Sequence, residues 1–180
     1  MVIEIKDNVD KRKDKLWAKE TVNALTHYNS MVKNPNTKIR NTYGHYLALF
    51  IISSILSLIT LGLSFILNFE VYCIILLVVC LLLWLFFGFM FFTLKHIASS
   101  LLKKRGDMIL TVDEKGLELA KANHQVNHYG WDHIALVKLF SYSVVVYTKD
   151  KSVASFSVEF KDQILAAFQE QGKGNFCYFN

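Results

Sequence analysis

Six histidines in 180 residues raise the possibility of metal or proton-transfer chemistry, and their spacing decides how far that goes. His124 and His128 are four apart, which puts them on the same face of a strand but far from each other, and His133 lies beyond Gly130. Holding three imidazoles at about 2.1 Å from one ion would need a sharp bend there. Exposed or hydrogen-bonded surface histidines are therefore expected, with no metal and no other cofactor. Cys73, Cys80 and Cys177 show neither a zinc spacing nor CxxC and are expected to act as small buried hydrophobes. No GxSxG, P-loop, HExxH or GxGxxG occurs. His96, at the end of an apolar run, is the one candidate for lipid-directed chemistry, and no partner lies within sequence reach. Asp132 beside Trp131 is either a binding residue or a turn anchor with Trp131 in the core, and the turn anchor is preferred. No catalytic set emerges, and the chain is read as non-enzymatic.

The elements that must carry these residues begin with an oily block. From Asn41 to Leu94 there is no Lys or Arg, and Glu70 is the only charged residue. A membrane helix needs roughly 20 apolar residues, so Tyr46–Leu94 is far too long for one. It divides at "NFE", residues 68–70, into Tyr46–Leu67 and Val71–Leu94. Glu70 then sits at the water interface, whereas at a helix centre it would cost at least several kcal/mol, on the order of the usual intramembrane penalty. Residues 1–45 hold nine Lys and Arg, five of them in Lys11–Lys19, and Lys95, Lys103, Lys104 and Arg105 follow the second run. The tip has none. The positive-inside rule places both termini in the cytoplasm. The four later cations are also candidate contacts for anionic lipid headgroups. A net charge of +5 split around an apolar block fits a membrane protein better than a nucleic-acid binder.

Within the first run, Ser53, Ser57, Thr60 and Ser64 fall at helical intervals on one face. A packing seam against the second helix or a second copy is preferred over hydroxyls that merely bond back to their own helix. No charge lies inside either run, which argues against transport or proton relay.

The flanks read as ordinary water-compatible sequence. "VIEIK" alternates like a short strand, and Asn8 or Asp10 can cap a helix from Lys11 to Val32 that ends before "KNPNTK". Its apolar stripe either packs on the C-terminal domain or lies on the membrane surface. The opening residues lack the apolar core of a signal peptide, so none is expected. After Arg105, "MILTVDEKGLELAKA" reads as a hairpin turning at Gly116, "QVNHYGWDHIALVKLF" breaks at Gly130, and "SYSVVVYTKDKSVASFSVEF" is a strand pair turning at "KDK". Val144–Tyr147 suit a half-buried strand. "KDQILAAFQEQ" closes the chain as a short helix. A curved antiparallel sheet or partial barrel capped by one helix is expected, making the whole chain an α+β membrane protein.

Two apolar helices followed by "ILTVDEKGLEL", "YGWDHIALVK", a strand pair and a closing helix resemble the YcxB-like family of bacterial membrane proteins. The residues carrying the likeness are Thr111, Glu114, Gly116, Leu117, Trp131, Asp132 and Ile134. "SFSVEF" stands where that family often has an Ile-Pro run. The resemblance implies a cytoplasmic domain similar to the pleckstrin-homology (PH) superfold, a bacterial inner-membrane location, and structural roles for Gly116, Trp131, Asp132 and Ile134; it implies no common activity. The expected layout is a basic N-terminal segment (1–45), a two-helix hairpin (46–94), a basic connector (95–106) and a PH-like domain with C-terminal helix (107–180). The expected function is a membrane-anchored module for protein interaction. The alternatives are self-immunity against a membrane-acting toxin and binding of anionic lipid. The expected partners are membrane lipid and a protein or second copy, without nucleic acid.

Overall fold

In the computed structural model, residues 1–5, 10–103, 106–121 and 126–178 are described below. The chain divides into two compact units, one of Met1–Arg40 with Ala98–Asn180 and one of Asn41–Ile97.

The second unit is built on two helices, α3 (Thr42–Ile66) and α4 (Val71–Lys103). Asn41 starts α3 by accepting a hydrogen bond from the Gly44 amide at 3.0 Å. At the tip, Asn68 and Phe69 adopt φ of 46° and 55°, and the Phe69 amide donates to the Ser64 carbonyl at 2.8 Å. Glu70 is exposed there, and its carbonyl accepts from the Ile74 amide at 3.1 Å. Helix α4 runs on beyond the apolar stretch, to Lys103. No proline or glycine interrupts "KHIASSLLK", and Ala, Leu and Lys favour the helix. Lys95 and Lys103 are therefore helical residues of the basic connector.

Both helices are long and apolar enough to cross a membrane, at 25 and 33 residues, each with an 18-residue stretch of mean hydropathy 2.4 and 3.0 respectively. Their outward faces carry bare aliphatic groups: Leu58 is 69% exposed, Ile66 75% and Leu82 60%.

The other unit contains two four-stranded sheets. The first has the order β1 (Val2–Ile5), β2 (Met108–Asp113), β3 (Gly116–Lys121), β4 (Val126–Gly130), all antiparallel. In the second, β6 (Ser143–Thr148) lies between β7 (Val153–Ser157) and β5 (Ile134–Leu139), and β5 pairs in parallel with the two-residue β8 (Cys177–Tyr178). Among the described residues the sheets form separate ladders, so no barrel closes. Helix α5 (Lys161–Glu170) follows β7. The "DEKG" and "KDK" turns, the break at Gly130 and the closing helix thus stand where the sequence predicts them.

Ile3, Leu110, Val112, Leu117, Val144, Val146 and Phe156 from both sheets share a core with Ile164 and Phe168 of α5. The first forty residues belong to this unit as well. Asp10 caps α1 (Lys11–Thr26), accepting from the Arg12 and Lys13 amides at 3.0 and 3.3 Å, and α2 (Tyr28–Lys33) follows a break at His27. Ala24, Tyr28 and Met31 pack on Leu136, Val145 and Tyr147 of the second sheet. Strand β6 is consequently buried on both faces along its whole length. It reads as a continuous apolar run because a helix covers the face that would otherwise meet water.

Candidate functional site

Around the β2–β3 hairpin, Gly116, Leu117, Trp131 and Ile134 are buried. Asp113 Oδ1 accepts from the Lys115 and Gly116 amides at 2.8 and 3.0 Å, fixing the turn. Gly116 has φ +147°, and a Cβ there would lie 2.1 Å from the Tyr129 carbonyl oxygen, so only glycine lets β3 approach β4. Trp131, in a single 3₁₀ turn before β5, donates its indole N–H to the Asp113 carbonyl at 3.0 Å and meets the Phe168 ring edge-on at 5.3 Å. Ile134 is 1% exposed in the same core. Leu117 is buried beside it, Thr111 is half-buried, and Glu114 is exposed. Asp132 is exposed and makes no side-chain hydrogen bond among the described residues. The turn-anchoring carboxylate is Asp113, because Asp132 faces outward from its 3₁₀ turn.

On α3, Ser53, Thr60 and Ser64 are buried and Ser57 is half-buried. Each hydroxyl donates to a carbonyl of its own helix, Ser57 to Ser53 and Ser64 to Thr60, both at 2.8 Å. The inter-helix hydrogen bond is made instead by Ser54, whose Oγ accepts from Trp84 Nε1 of α4 at 2.8 Å. Phe50 stacks on Trp84 and Phe91, and a Cβ on Gly88 would come within 2.9 Å of the Phe50 ring. The small face thus lies inward, and an aromatic cluster fixes the pair of helices.

Lys95 and Lys103 are exposed on α4; Lys104 and Arg105 lie outside the described residues. His96, His128 and His133 are exposed, and His124 lies outside the described residues. Among the described residues, no three His, Cys, Asp or Glu side chains come together as metal ligands. Burial pushes the Cys177 thiol up to about 11, leaving it protonated and unreactive at neutral pH.

A buried polar layer beneath the N-terminal helices escaped the sequence reading. Lys138 of β5 is fully buried, and its ammonium donates to the carbonyls of Pro35 and, at 3.1 Å, Thr37. A register irregularity between Ile134 and Leu136 explains its direction. Ile134 and Val137 face the inter-sheet core, while Leu136 turns to the helix-covered side, where Lys138 meets the chain segment after α2. Burial lowers the Lys138 pKa and raises that of Tyr147, whose hydroxyl is buried without a partner among the described residues. Tyr28 donates to the Thr148 carbonyl, and its ring lies 5.8 Å from that of Tyr147. Glu20 of α1 accepts from the Tyr142 amide and the Ser143 hydroxyl, both at 2.9 Å; desolvation raises its pKa against those hydrogen bonds. The available signal was a lysine flanked by apolar residues on both sides in "IALVKLF".

A cavity of about 370 Å³ opens between the β3–β4 side of the first sheet and β7 of the second. Trp17, Leu25, Met108, Leu119 and Phe156 supply apolar wall, and Lys121, Asn127 and Ser152 supply polar groups. Its size suits a small ligand. Its members lie far apart in sequence, and no local motif marks them. Comparison with family models, with curated proteins and with solved structures finds no match to this chain.

Proposed function

We propose that the chain is a non-enzymatic protein of the bacterial inner membrane, crossing twice through α3 and α4 with both termini cytoplasmic, and that its α+β unit is an interaction module. The observation that carries this is the continuous bare aliphatic surface of α3 and α4. A contiguous apolar area of that extent is untenable in water and ordinary in lipid. The cation distribution supports the orientation: the tip at 68–70 has none, while residues 1–45 have nine. The YcxB-like resemblance of the sequence supplies the PH-like description of the other unit, in which two sheets share a core with one helix.

Two helices cannot enclose a transport path, so the folded unit is the natural seat of function: binding of a protein or a second copy at the cytoplasmic face. Purification of the full chain in mild detergent, with mass determination and identification of co-purifying proteins, tests this. A stoichiometric companion or a defined homo-oligomer is expected, and a toxin-like pore former as companion would single out self-immunity. A monomer without any companion would overturn the interaction role. For topology, a cysteine at Asn68, in a background where Cys73, Cys80 and Cys177 are replaced, should react with an impermeant maleimide from the periplasmic side of intact cells. Labelling only after lysis would overturn the orientation.

A further inference from the structure

We propose that the 370 Å³ cavity binds an amphiphile with one acyl tail engaged and an anionic head, a carboxylate or a phosphate, held by Lys121. This goes beyond protein interaction and rests on the membrane reading only for the ligand's source. The wall is predominantly apolar, with Trp17 and Leu25 of α1, Met108 and Leu119 of the first sheet and Phe156 of the second; a hydrocarbon chain can fill it without leaving donors unmet. Lys121 is the one charged side chain lining it, and it has no hydrogen-bond or ion-pair partner among the described residues. Asn127 adds neutral hydrogen-bonding capacity, while the Ser152 hydroxyl is taken up by Asp150 and Thr148. The Lys121 ammonium on an apolar cavity complements a negative head on an apolar tail, although Lys121 is half-buried and also borders a second cavity with Glu4 and Asp107.

A peptide strand added along β7 fits less well. The Thr21 hydroxyl lies 2.8 Å from that of Ser155, holding α1 against the middle of β7, and α1 side chains form part of the cavity wall. A peptide entering an apolar cavity would also bring backbone groups with few partners.

The test uses the full chain in nanodiscs of neutral phosphatidylcholine with the fluorescent fatty acid cis-parinarate as probe. Energy transfer from tryptophan reports occupancy, since Trp17 lines the cavity. Saturable binding at one probe per chain is expected. Lys121→Gln should weaken the acid about tenfold and leave the methyl ester of the same chain unchanged. Ala154→Leu, which fills the wall, should weaken both. Displacement by palmitate but not by lysophosphatidate would assign a free fatty acid, and the reverse a phosphate-bearing lipid; either supports the proposal. Transfer that never saturates, transfer unchanged in Ala154→Leu, equal weakening of acid and ester by Lys121→Gln, or displacement only by an extended peptide would overturn it. Resistance to carbonate extraction, measured separately, tests the membrane reading, so the two can fail independently.

Discussion

The unit of residues 41–97 leaves Leu58, Ile66 and Leu82 mostly uncovered, whereas the unit of residues 1–40 and 98–180 buries even the ammonium of Lys138. Both are made of hydrogen-bonded backbone and apolar side chains, but they solve opposite problems. In the α+β unit, apolar groups turn inward, and buried donors such as Lys138 and Tyr28 reach backbone carbonyls. In the helical unit the inward face carries serines and a threonine that bond to their own backbone, and the aliphatic groups point out. Burial out of water stabilises the first by roughly 25 cal/mol per Å² of apolar area. On the proposed membrane reading, that term cannot hold the second together, and close packing with a few polar contacts must do so.

The contrast is sharpest for paired substitutions. Phe168, fully buried against Trp131, should cost about 3–5 kcal/mol when changed to Ala, read by chemical denaturation of the α+β unit. Leu82→Arg, on an outward face, should leave that unit's transition unchanged and disfavour membrane insertion by about 3 kcal/mol, read as the inserted fraction in a translocation assay. Normal insertion of Leu82→Arg would mean that the face does not meet lipid, and the comparison would collapse.

Lys138 tests the other half. Lys138→Ala opens a cavity and leaves the Pro35 and Thr37 carbonyls without their donor, at a cost of about 3 kcal/mol. Lys138→Met keeps most of the stem and should cost about 1–2 kcal/mol, since only the donor is lost and a desolvated charge is removed with it. The segment between α2 and α3 should also become more sensitive to limited proteolysis in both variants. Equal stability of Met, Ala and wild type would mean that the ammonium does not tie that segment down.

Turn chemistry and termination signals made the hairpins legible: Asp113 with Gly116, "KDK" before β7, Pro35 after α2. Long apolar runs did the same for α3 and α4. These are local signals, each decided within a few residues. What the sequence hid depends on partners distant in the chain. "VVVY" alternates for a half-buried strand only if its outer face is free, and α1, more than a hundred residues earlier, covers it. Lys138 points to that covered face because of a one-residue irregularity that no residue type announces. Asp132 looked like the turn carboxylate from its place beside Trp131, while the Asp113 carboxylate accepts from two turn amides and its backbone carbonyl from the indole. The cavity gathers residues from α1, α4, β2, β3, β4 and β7 and has no sequence signature at all.

Glu20 joins α1 to the second sheet, and its pKa gives a signed expectation. Desolvation raises its folded-state pKa above the ordinary value of 4.5, so the native state binds more protons than the unfolded chain across that window. Stability contributed through this group is therefore fully present below about 4.5 and declines as pH rises through the folded pKa. Glu20→Gln keeps acceptors for Tyr142 and Ser143 and should flatten that slope, whereas Glu20→Ala should cost about 1 kcal/mol at neutral pH. A slope in wild type that persists in Glu20→Gln would assign it to another group.

The smallest effect belongs to the helical unit. Trp84 donates to Ser54 between α3 and α4 in a site flanked by Phe50. In lipid, inter-helix hydrogen bonds average only about 0.6 kcal/mol, because a separated helix in the bilayer also finds partners for its polar groups. Ser54→Ala should therefore shift helix-pair stability by less than about 1 kcal/mol in steric-trap or single-molecule unfolding. Gly88→Ala, which drives a Cβ into the Phe50 ring, should do more harm, despite removing no hydrogen bond. If Ser54→Ala proved the more damaging of the two, hydrogen bonding rather than close packing would hold the hairpin, and the two units would differ less than their surfaces imply.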